Sequence, residues 1–418
     1  MAREPDSRLA RRLGLGDAVV VGLGAMIGAG VFAAFGPAAA AAGSALLVGL
    51  ALGAAVAYAN ATSSAQLAAL YPRSGGTYVY GRERLGPFWG FLAGWGFVVG
   101  KTASCAAMAL TFGSYAWPSL ARPLAVAAVV AVVAVNHLGV EKTARATRVI
   151  VAVVLAALAL VVVASLGGGE ADPGRLTPLF ATGGAYGVLQ SAGILFFAFA
   201  GYARLATLGE EVREPERVLP RAIPLALGIA LAVYAVVAVS ALLAVGPEGL
   251  TASDAPLASA VEAGTLEALA PVVRAGAAVA SLGVLLSLLA GVGRTTFAMA
   301  ANRDLPHALA AVHPRYRVPH RAELAIGALV VAVVLVADVR GAIGFSSFAV
   351  LVYYAVANAS ALTLARGERR RPRALAAFGV LGCVVLAVTL PLGSVLAGAA
   401  VLAVGAAGYA ARRATRRA

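Results

Sequence analysis

Long apolar runs restrict the fold of this chain more than any other feature. One of them, residues 149–166 (VIVAVVLAALALVVVASL), offers no polar face of the kind that a soluble helix presents to water. Runs of about 18 or more such residues recur from end to end, and each can cross a hydrocarbon core roughly 30 Å thick. Only 12% of the residues are charged, against about 25% in an ordinary soluble domain. The sequence therefore predicts an all-α polytopic membrane protein, and the lack of a two-residue alternation excludes a β-barrel.

The apolar pattern predicts twelve transmembrane helices, the last two separated only by a turn near Pro391. The predicted spans are 16–42, 44–69, 86–116, 121–138, 146–166, 186–208, 221–245, 271–300, 322–338, 342–365, 374–390 and 391–411.

The distribution of Lys and Arg predicts the orientation of these spans. An even number of spans places both termini on one side, and 26 Lys and Arg residues fall there, against four on the other side and three within spans. Because basic loops stay in the cytoplasm, both termini are predicted to be cytoplasmic.

The many Ala and Arg residues, with only two Lys, are typical of a GC-rich bacterial genome, so we expect the bacterial plasma (inner) membrane. The net charge of +14 does not indicate nucleic-acid binding. The basic residues lie in short loops between the spans, not in a domain that could bind a duplex.

The first span contains helix breakers where a lipid-exposed helix would avoid them. Residues 22–32 read GLGAMIGAGVF, with four glycines. One interpretation is an unwound segment that binds a substrate, as in transporters with discontinuous helices. The other is close helix packing through small residues. Binding helices of inverted-repeat transporters come in pairs, and a repeat of five spans predicts the partner in span six. That span has Gly201 at mid-depth, followed by Tyr202 and Arg204, which favours the first interpretation.

Four segments together resemble the amino acid–polyamine–organocation superfamily of permeases: GLGAMIGAGVF, SGGTYVYGRERLGPFWGFLAGW, FFAFAGYARLATLGEEVREPERVLPRAI and AANRDLP. The resemblance covers nearly the whole chain. It implies one permease domain (1–418) with the LeuT-like fold, in which two inverted five-helix repeats are followed by two additional helices. The implied ranges are 16–166 for repeat one, 186–365 for repeat two and 374–411 for helices 11 and 12. The implied function is transport of amino acids or related organic cations.

The resemblance also implies roles for individual residues. Backbone amides at the first break would bind a substrate carboxylate, and carbonyls at the second would bind the α-ammonium group. Aromatic side chains there would form a pocket wall or gate, and helices three, eight and ten would supply the floor. The amide residues are Ile27, Gly28, Ala29 and Gly30. The carbonyl residues are Phe197, Ala198 and Ala200, the aromatic ones Phe199 and Tyr202, and the floor residues Ser104, Cys105, Met108, Ser287 and Tyr354.

Lys101 lies about 15 residues into the third span. A charge at that depth is costly and is a functional candidate by default. We expect Lys101 to replace a coupling cation or to carry a coupled proton; the alternatives are anchoring to carbonyls or snorkelling to the interface. Some cationic-amino-acid-transporter relatives are thought to place such a lysine on the fifth helix, which has none here, so their coupling mechanism does not transfer. The absence of Asp and Glu deep in the spans favours neutral zwitterions over polyamines.

The segment after the second break carries a candidate gate. Arg204 could pair there with Glu210 or Glu211, or it could reach down to the membrane interface.

No enzyme, metal site or cofactor is expected. The spans carry no catalytic motif, and the four histidines show no clustering with Cys or carboxylates at ligand spacing. Cys105 and Cys383 both fall in apolar spans, where they are expected as buried small hydrophobic residues. The sequence thus predicts a secondary active amino acid transporter with a proton-coupled symport mechanism. An exchanger, a sodium-coupled carrier, a channel or a non-transporting sensor of the same fold stay open as alternatives.

Overall fold

The computed structural model describes residues 14–71, 75–139, 144–202, 205 and 212–415. Within these residues it contains sixteen α-helices. They are α1 (Leu15–Met26), α2 (Ala29–Ala33), α3 (Phe35–Ala42), α4 (Leu46–Leu70), α5 (Thr77–Arg84), α6 (Pro87–Ala116), α7 (Ala121–His137), α8 (Ala144–Gly167), α9 (Gly184–Phe199), α10 (Pro215–Ala252), α11 (Pro256–Glu262), α12 (Ala270–Ala301), α13 (His320–Val336), α14 (Val339–Leu362), α15 (Arg373–Thr389) and α16 (Leu392–Thr415).

These helices match the predicted spans. Ten helical segments in the described residues are long and apolar enough to cross a membrane, and α13 and α15, with 17 residues each, add two shorter apolar helices. The first predicted span is divided into α1, α2 and α3, and the sixth is α9 with a 3₁₀ turn. The prediction of an all-α polytopic membrane protein of about twelve spans is confirmed. The division into two inverted repeats stays a prediction.

The connecting segments gather at two opposite faces of the helix bundle. One, which we call the basic face, carries α5, the segment 302–319, the segment 363–372 and the end of α16. Its parts are joined by contacts such as Arg84 to Glu368 at 2.8 Å and Tyr78 to Asp304 at 2.6 Å. The other, the opposite face, carries α11 and the segment 168–183. The two sets of loops that the charge pattern separates are therefore at separate ends of the molecule.

Helix α6 runs through the centre of the bundle, packed mainly against α12 and α14. Small residues allow this close packing: a Cβ atom on Gly100 would lie 2.9 Å from the Cβ of Ala349, and one on Gly94 would lie 2.8 Å from the Sδ of Met299. Helices α7 and α16 lie at the periphery and expose aliphatic side chains such as Val130 and Leu396. Such exposure is what a lipid-facing surface requires.

Two helices, α5 and α11, lie outside the predicted spans. Residues 77–84 read as a polar loop, yet they form α5, which is tucked against the basic face with Thr77 and Tyr78 buried. The N–H of Thr77 donates to the hydroxyl of Tyr353 on α14 at 3.1 Å. The preceding Gly76 has φ +55°, a conformation that favours glycine. This glycine allows the chain to turn back under the bundle.

Candidate functional site: two broken helices

The first span is interrupted at residues 27 and 28. Helix α1 ends at Met26, Gly28 has an extended backbone (φ −136°, ψ −150°), and α2 begins at Ala29. Glycine is needed at position 28 for space rather than for its φ, because a Cβ atom there would overlap the Cγ2 of Val284 on α12.

The break leaves a specific set of backbone amides open. The N–H of Ile27 donates to Leu23 O at 2.6 Å and that of Gly28 to Met26 O at 2.8 Å. The first amides of α2, on Ala29, Gly30 and Val31, have no acceptor within the helix by their position. Of the predicted amides, Ala29 and Gly30 thus stay open, whereas Ile27 and Gly28 donate within the break; Val31 is an additional open amide.

The sixth span is interrupted where α9 ends at Phe199 and a 3₁₀ turn follows at Ala200–Tyr202. The N–H of Ala200 donates to the carbonyls of Phe196 and Phe197. The hydroxyl of Tyr354 lies 3.4 Å from the carbonyl of Ala200. The predicted carbonyls of Phe197 and Ala200 therefore already have one donor each, and a carbonyl oxygen can accept a second.

The two breaks contact each other directly. A Cβ atom on Gly30 would lie 2.8 Å from the Cα of Ala198, and one on Gly201 would overlap the carbonyl of Ala25. The unwound segments and the close packing through small residues, which the sequence analysis gave as alternatives, therefore occur together. The helices are broken, and the glycines allow the broken segments to touch.

Tyr234 on α10 joins the two breaks and was missed by the sequence analysis. Its buried hydroxyl lies 2.6 Å from Met26 O, to which it donates, and 3.1 Å from Ala198 O. The ring packs on Phe199 with 5.2 Å between centroids. A lone tyrosine amid the aliphatic residues of α10 was the available signal, but its target depends on how the helix is rotated.

The predicted aromatic wall divides into two groups. Phe199 faces Tyr234, whereas Tyr202 pairs with Tyr354 at 5.0 Å between ring centroids. Tyr354 also contacts Phe196, at 5.8 Å. Both groups are buried, so they enclose the breaks on two sides.

The third span presents its predicted residues in two directions. Ser104 points towards α14, with its hydroxyl 2.6 Å from that of Ser346. Lys101, Cys105 and Met108 lie at helical spacing on the same face as Gly94, which packs on α12. All four of these predicted residues are buried.

Lys101 is only 6% exposed. Among the described residues no carboxylate forms an ion pair with it and no hydrogen bond to it is formed, and its electrostatic neighbour is Cys105. This burial does not favour the snorkelling alternative, and the role of Lys101 stays a prediction.

One predicted residue, Ser287, is not brought into this site, and three others cannot be placed relative to it. Ser287 is exposed and donates to Gly283 O within its own helix at 3.1 Å. The predicted gate residues Arg204, Glu210 and Glu211 lie outside the described residues.

A buried amide pair lies about one turn from Tyr354 towards the basic face. The side-chain N–H of Asn358 donates to Asn60 Oδ1 at 2.6 Å, and the thiol of Cys383 contacts the same oxygen at 3.3 Å. Sequence reasoning missed this pair, because Asn60 and Asn358 are 298 positions apart.

A second polar cluster lies on the basic face at the end of α12. Asp304 accepts hydrogen bonds from the hydroxyl of Tyr78 at 2.6 Å and from the guanidinium of Arg82 at 2.9 Å. Burial, with the hydrogen bond to Asp304, raises the pKa of Tyr78 to about 12, so the phenol stays protonated and donates. A cavity of about 460 Å³ opens nearby and is lined by Arg303, Leu305, Pro306, His307 and Arg412. It is separate from the helix breaks.

A membrane-embedded bundle with two touching broken helices, one offering amides and the other carbonyls, defines a membrane transporter. Comparison with known proteins agrees. The family model described as amino acid permease matches residues 13–407. The chain therefore belongs to the amino acid permease family, and the resemblance found in the motifs is confirmed.

Three relatives show the range of named proteins that this chain resembles. It is 64% identical to an uncharacterized transporter of Mycobacterium tuberculosis over 417 residues, covering 100% of this chain and 94% of the relative. It is 28% identical to the methylthioribose transporter of Bacillus subtilis (69% and 65% covered). It is also 28% identical to the serine/threonine exchanger of Bacillus subtilis (76% and 75% covered).

Proposed function

We propose that this permease is a secondary active transporter that binds a neutral amino acid at the paired breaks. The observation that carries the proposal is the contact between the open start of α2 and the end of α9, at Gly30 and Ala198. A zwitterion has an anionic and a cationic end a few ångströms apart, which is the charge pattern that these two helix ends complement.

The carboxylate would be bound by the amides of Ala29, Gly30 and Val31. A helix start concentrates N–H donors and partial positive charge, so it holds an anion without a charged side chain. The ammonium group would use the second lone pairs of the carbonyls of Phe197 and Ala198.

The side chain of the substrate would meet an apolar and aromatic surface. Phe196, Phe199, Tyr202 and Tyr354 surround the breaks, and none of them carries a charge at neutral pH. A cationic side chain would find no carboxylate partner among the described residues at the breaks. Small neutral amino acids fit this chemistry, and the name of the serine/threonine exchanger agrees with that class.

Lys101 would couple transport to protons. It is the only lysine in the described part of the chain and is buried without an ion-pair partner. The protonation of Lys101 would therefore depend on the water and substrate that reach it. A proton gained on one side of the membrane could then be released on the other.

The transport cycle would open the two faces in turn. The opposite face is closed by Tyr115, whose hydroxyl donates to Phe32 O at 2.8 Å and accepts from the N–H of Leu257 at 3.2 Å. On the charge pattern, the basic face would be the cytoplasmic one, with Arg204, Glu210 and Glu211 as its gate. The two inverted repeats, 16–166 and 186–365, would supply the moving units.

Reconstitution in liposomes tests this proposal. Uptake of a panel of labelled amino acids would be measured with and without an inward proton gradient, for the wild type, Lys101→Met and, as matched control, Lys142→Met at the only other lysine. We expect neutral amino acids to accumulate only with the gradient. Lys101→Met should exchange substrate without accumulating it, while Lys142→Met behaves as the wild type.

The other outcomes separate the alternatives. Saturable counterflow that ignores the gradient and Lys101 would make the protein an exchanger or a sodium-coupled carrier, and symport would be wrong. Binding without any counterflow would leave a sensor and refute the transport proposal.

A further inference from the structure

Three of the four histidines of the chain lie together on the basic face. His137 ends α7, His313 lies in the segment 302–319, and His320 begins α13. Their ring centroids are 5.2 Å (His137 to His313), 5.4 Å (His313 to His320) and 6.2 Å (His137 to His320) apart. Sequence reasoning missed this grouping of rings, because it depends on the loop between α12 and α13 folding back onto the end of α7.

His313 has a structural constraint on its protonation. Its Nδ1 lies 3.2 Å from the backbone N–H groups of Arg315 and of Tyr316, and both donate to it. The surrounding turn is closed by the N–H of His313, which donates to Val318 O at 2.9 Å. A proton on Nδ1 would oppose both donors. The turn therefore uses Nδ1 of His313 as the acceptor of both hydrogen bonds.

A buried carboxylate lies within electrostatic range of His137. Glu323, one turn into α13, is 4% exposed, and it packs on α12, where a Cβ atom on Gly293 would lie 2.8 Å from its Cγ. Its Oε2 and the Nδ1 atoms of His137 and His320 are all buried without a hydrogen-bond partner. Three polar atoms thus lack partners in one cluster.

Other charged groups face this cluster from each packed element. His137 comes from α7 and Arg294 from α12, and both are within electrostatic range of the Glu323 carboxylate. Arg321 lies on α13 itself, and Arg315 stacks on Tyr316 in the loop. No three His, Cys, Asp or Glu side chains among the described residues have the arrangement of a metal site.

We propose that His137, His313, His320 and Glu323 form a proton-binding site that holds one proton on the imidazole of His137 or His320, with the Glu323 carboxylate as the countercharge. Glu323 stabilises the first imidazolium, whereas a second proton is opposed by the first, since the rings are only 5–6 Å apart. A proton on His313 in addition breaks the turn 313–318. The site thus has one stable singly protonated state and loses its loop geometry on further acidification.

This site can regulate transport through α12. The same helix carries Gly293 against Glu323 and Val284 against Gly28 at the first break. A change in how the loop and α13 dock on α12 is therefore transmitted to the helix that borders the break. This regulatory part rests on the proposed transport function and on the cytoplasmic assignment of the basic face, whereas the proton site itself does not.

Histidine proton NMR of the intact protein in nanodiscs tests the site directly. The chain gives only four histidine signals, which single His→Asn variants assign. We expect the His137 and His320 signals to titrate in two steps separated by about one pH unit or more. Glu323→Gln should lower the pH of the first step by a similar amount, and His307→Asn, at the histidine outside the cluster, should leave it unchanged. Independent one-step titrations that Glu323→Gln does not alter would refute the proposal.

Counterflow with equal pH on both sides of the liposome tests the regulation without a proton gradient. Between about pH 5.5 and pH 8, we expect the wild-type exchange rate to fall several-fold on acidification. His320→Asn should flatten this profile, and His307→Asn should retain it. If both variants follow the wild type, regulation by this site is refuted; if NMR supports the site while no amino acid exchanges, it is the transport function that fails.

Discussion

Replacing Tyr234 by Phe removes one hydroxyl from the contact between the two broken helices and leaves the ring that packs on Phe199. The hydroxyl has a single proton to share between Met26 O at 2.6 Å and Ala198 O at 3.1 Å. The substitution therefore removes one strong hydrogen bond and the weaker attraction of a second acceptor. It leaves Ala198 O without this donor, while Met26 O keeps the N–H of Gly28.

The free energy lost in Tyr234→Phe follows from the hydrogen bonds that the hydroxyl makes. A buried acceptor left unsatisfied costs about 1–3 kcal/mol, while hydrogen bonds between membrane helices average nearer 0.6 kcal/mol and reach about 1.7 kcal/mol. We expect a loss of roughly 1–2 kcal/mol. Because both acceptor carbonyls belong to the breaks, most of it should appear as weaker substrate binding, about 5- to 30-fold in Kd.

Ser240→Ala provides the matched control on the same helix. The hydroxyl of Ser240 is also buried, but it donates to Val236 O at 2.8 Å within α10. Substrate affinity would be measured by calorimetry on the purified protein, with thermal unfolding of both variants in parallel. If Tyr234→Phe binds substrate as tightly as Ser240→Ala does, the hydroxyl does not position the breaks and the reasoning fails.

Three further variants test other contacts. Gly201→Ala should abolish transport, because its Cβ would overlap the carbonyl of Ala25, whereas Gly228→Ala, whose Cβ meets nothing within 4 Å, should transport normally; uptake in liposomes distinguishes them. Asp304→Asn should lower stability by about 1–3 kcal/mol, since Arg82 loses its charged partner at 2.9 Å; unchanged thermal unfolding would contradict this. Tyr115→Phe should speed labelling of cysteines introduced beneath α11 several-fold, because it removes the bridge from Phe32 O to Leu257 N; equal labelling rates would show that the bridge does not close that face.

The spans and the breaks could be predicted from the sequence because both depend on local composition. A run of about 20 apolar residues has one stable arrangement in a bilayer, and glycines at positions 28 and 201 are conspicuous within such runs. The partners of Tyr234 and Asn60 could not be read in this way, since each depends on the rotation and tilt of helices far apart in the chain. The histidine cluster depends on a folded loop, and loops follow no periodic pattern.

The side-chain hydrogen-bond donors at the breaks are neutral, and hydrogen bonds from neutral groups are easy to exchange when segments move. Tyr234, Tyr354 and Tyr115 each place a hydroxyl next to a backbone carbonyl at or near a break. Such a bond costs about 1 kcal/mol to break in a membrane, whereas separating a buried ion pair costs about 3–5 kcal/mol. The ion pairs of the described residues lie instead at the two faces, as between Arg82 and Asp304. If the broken helices exchange partners during transport, bonds of this strength allow the exchange on a transporter's timescale, while ion pairs at the breaks would hold one state.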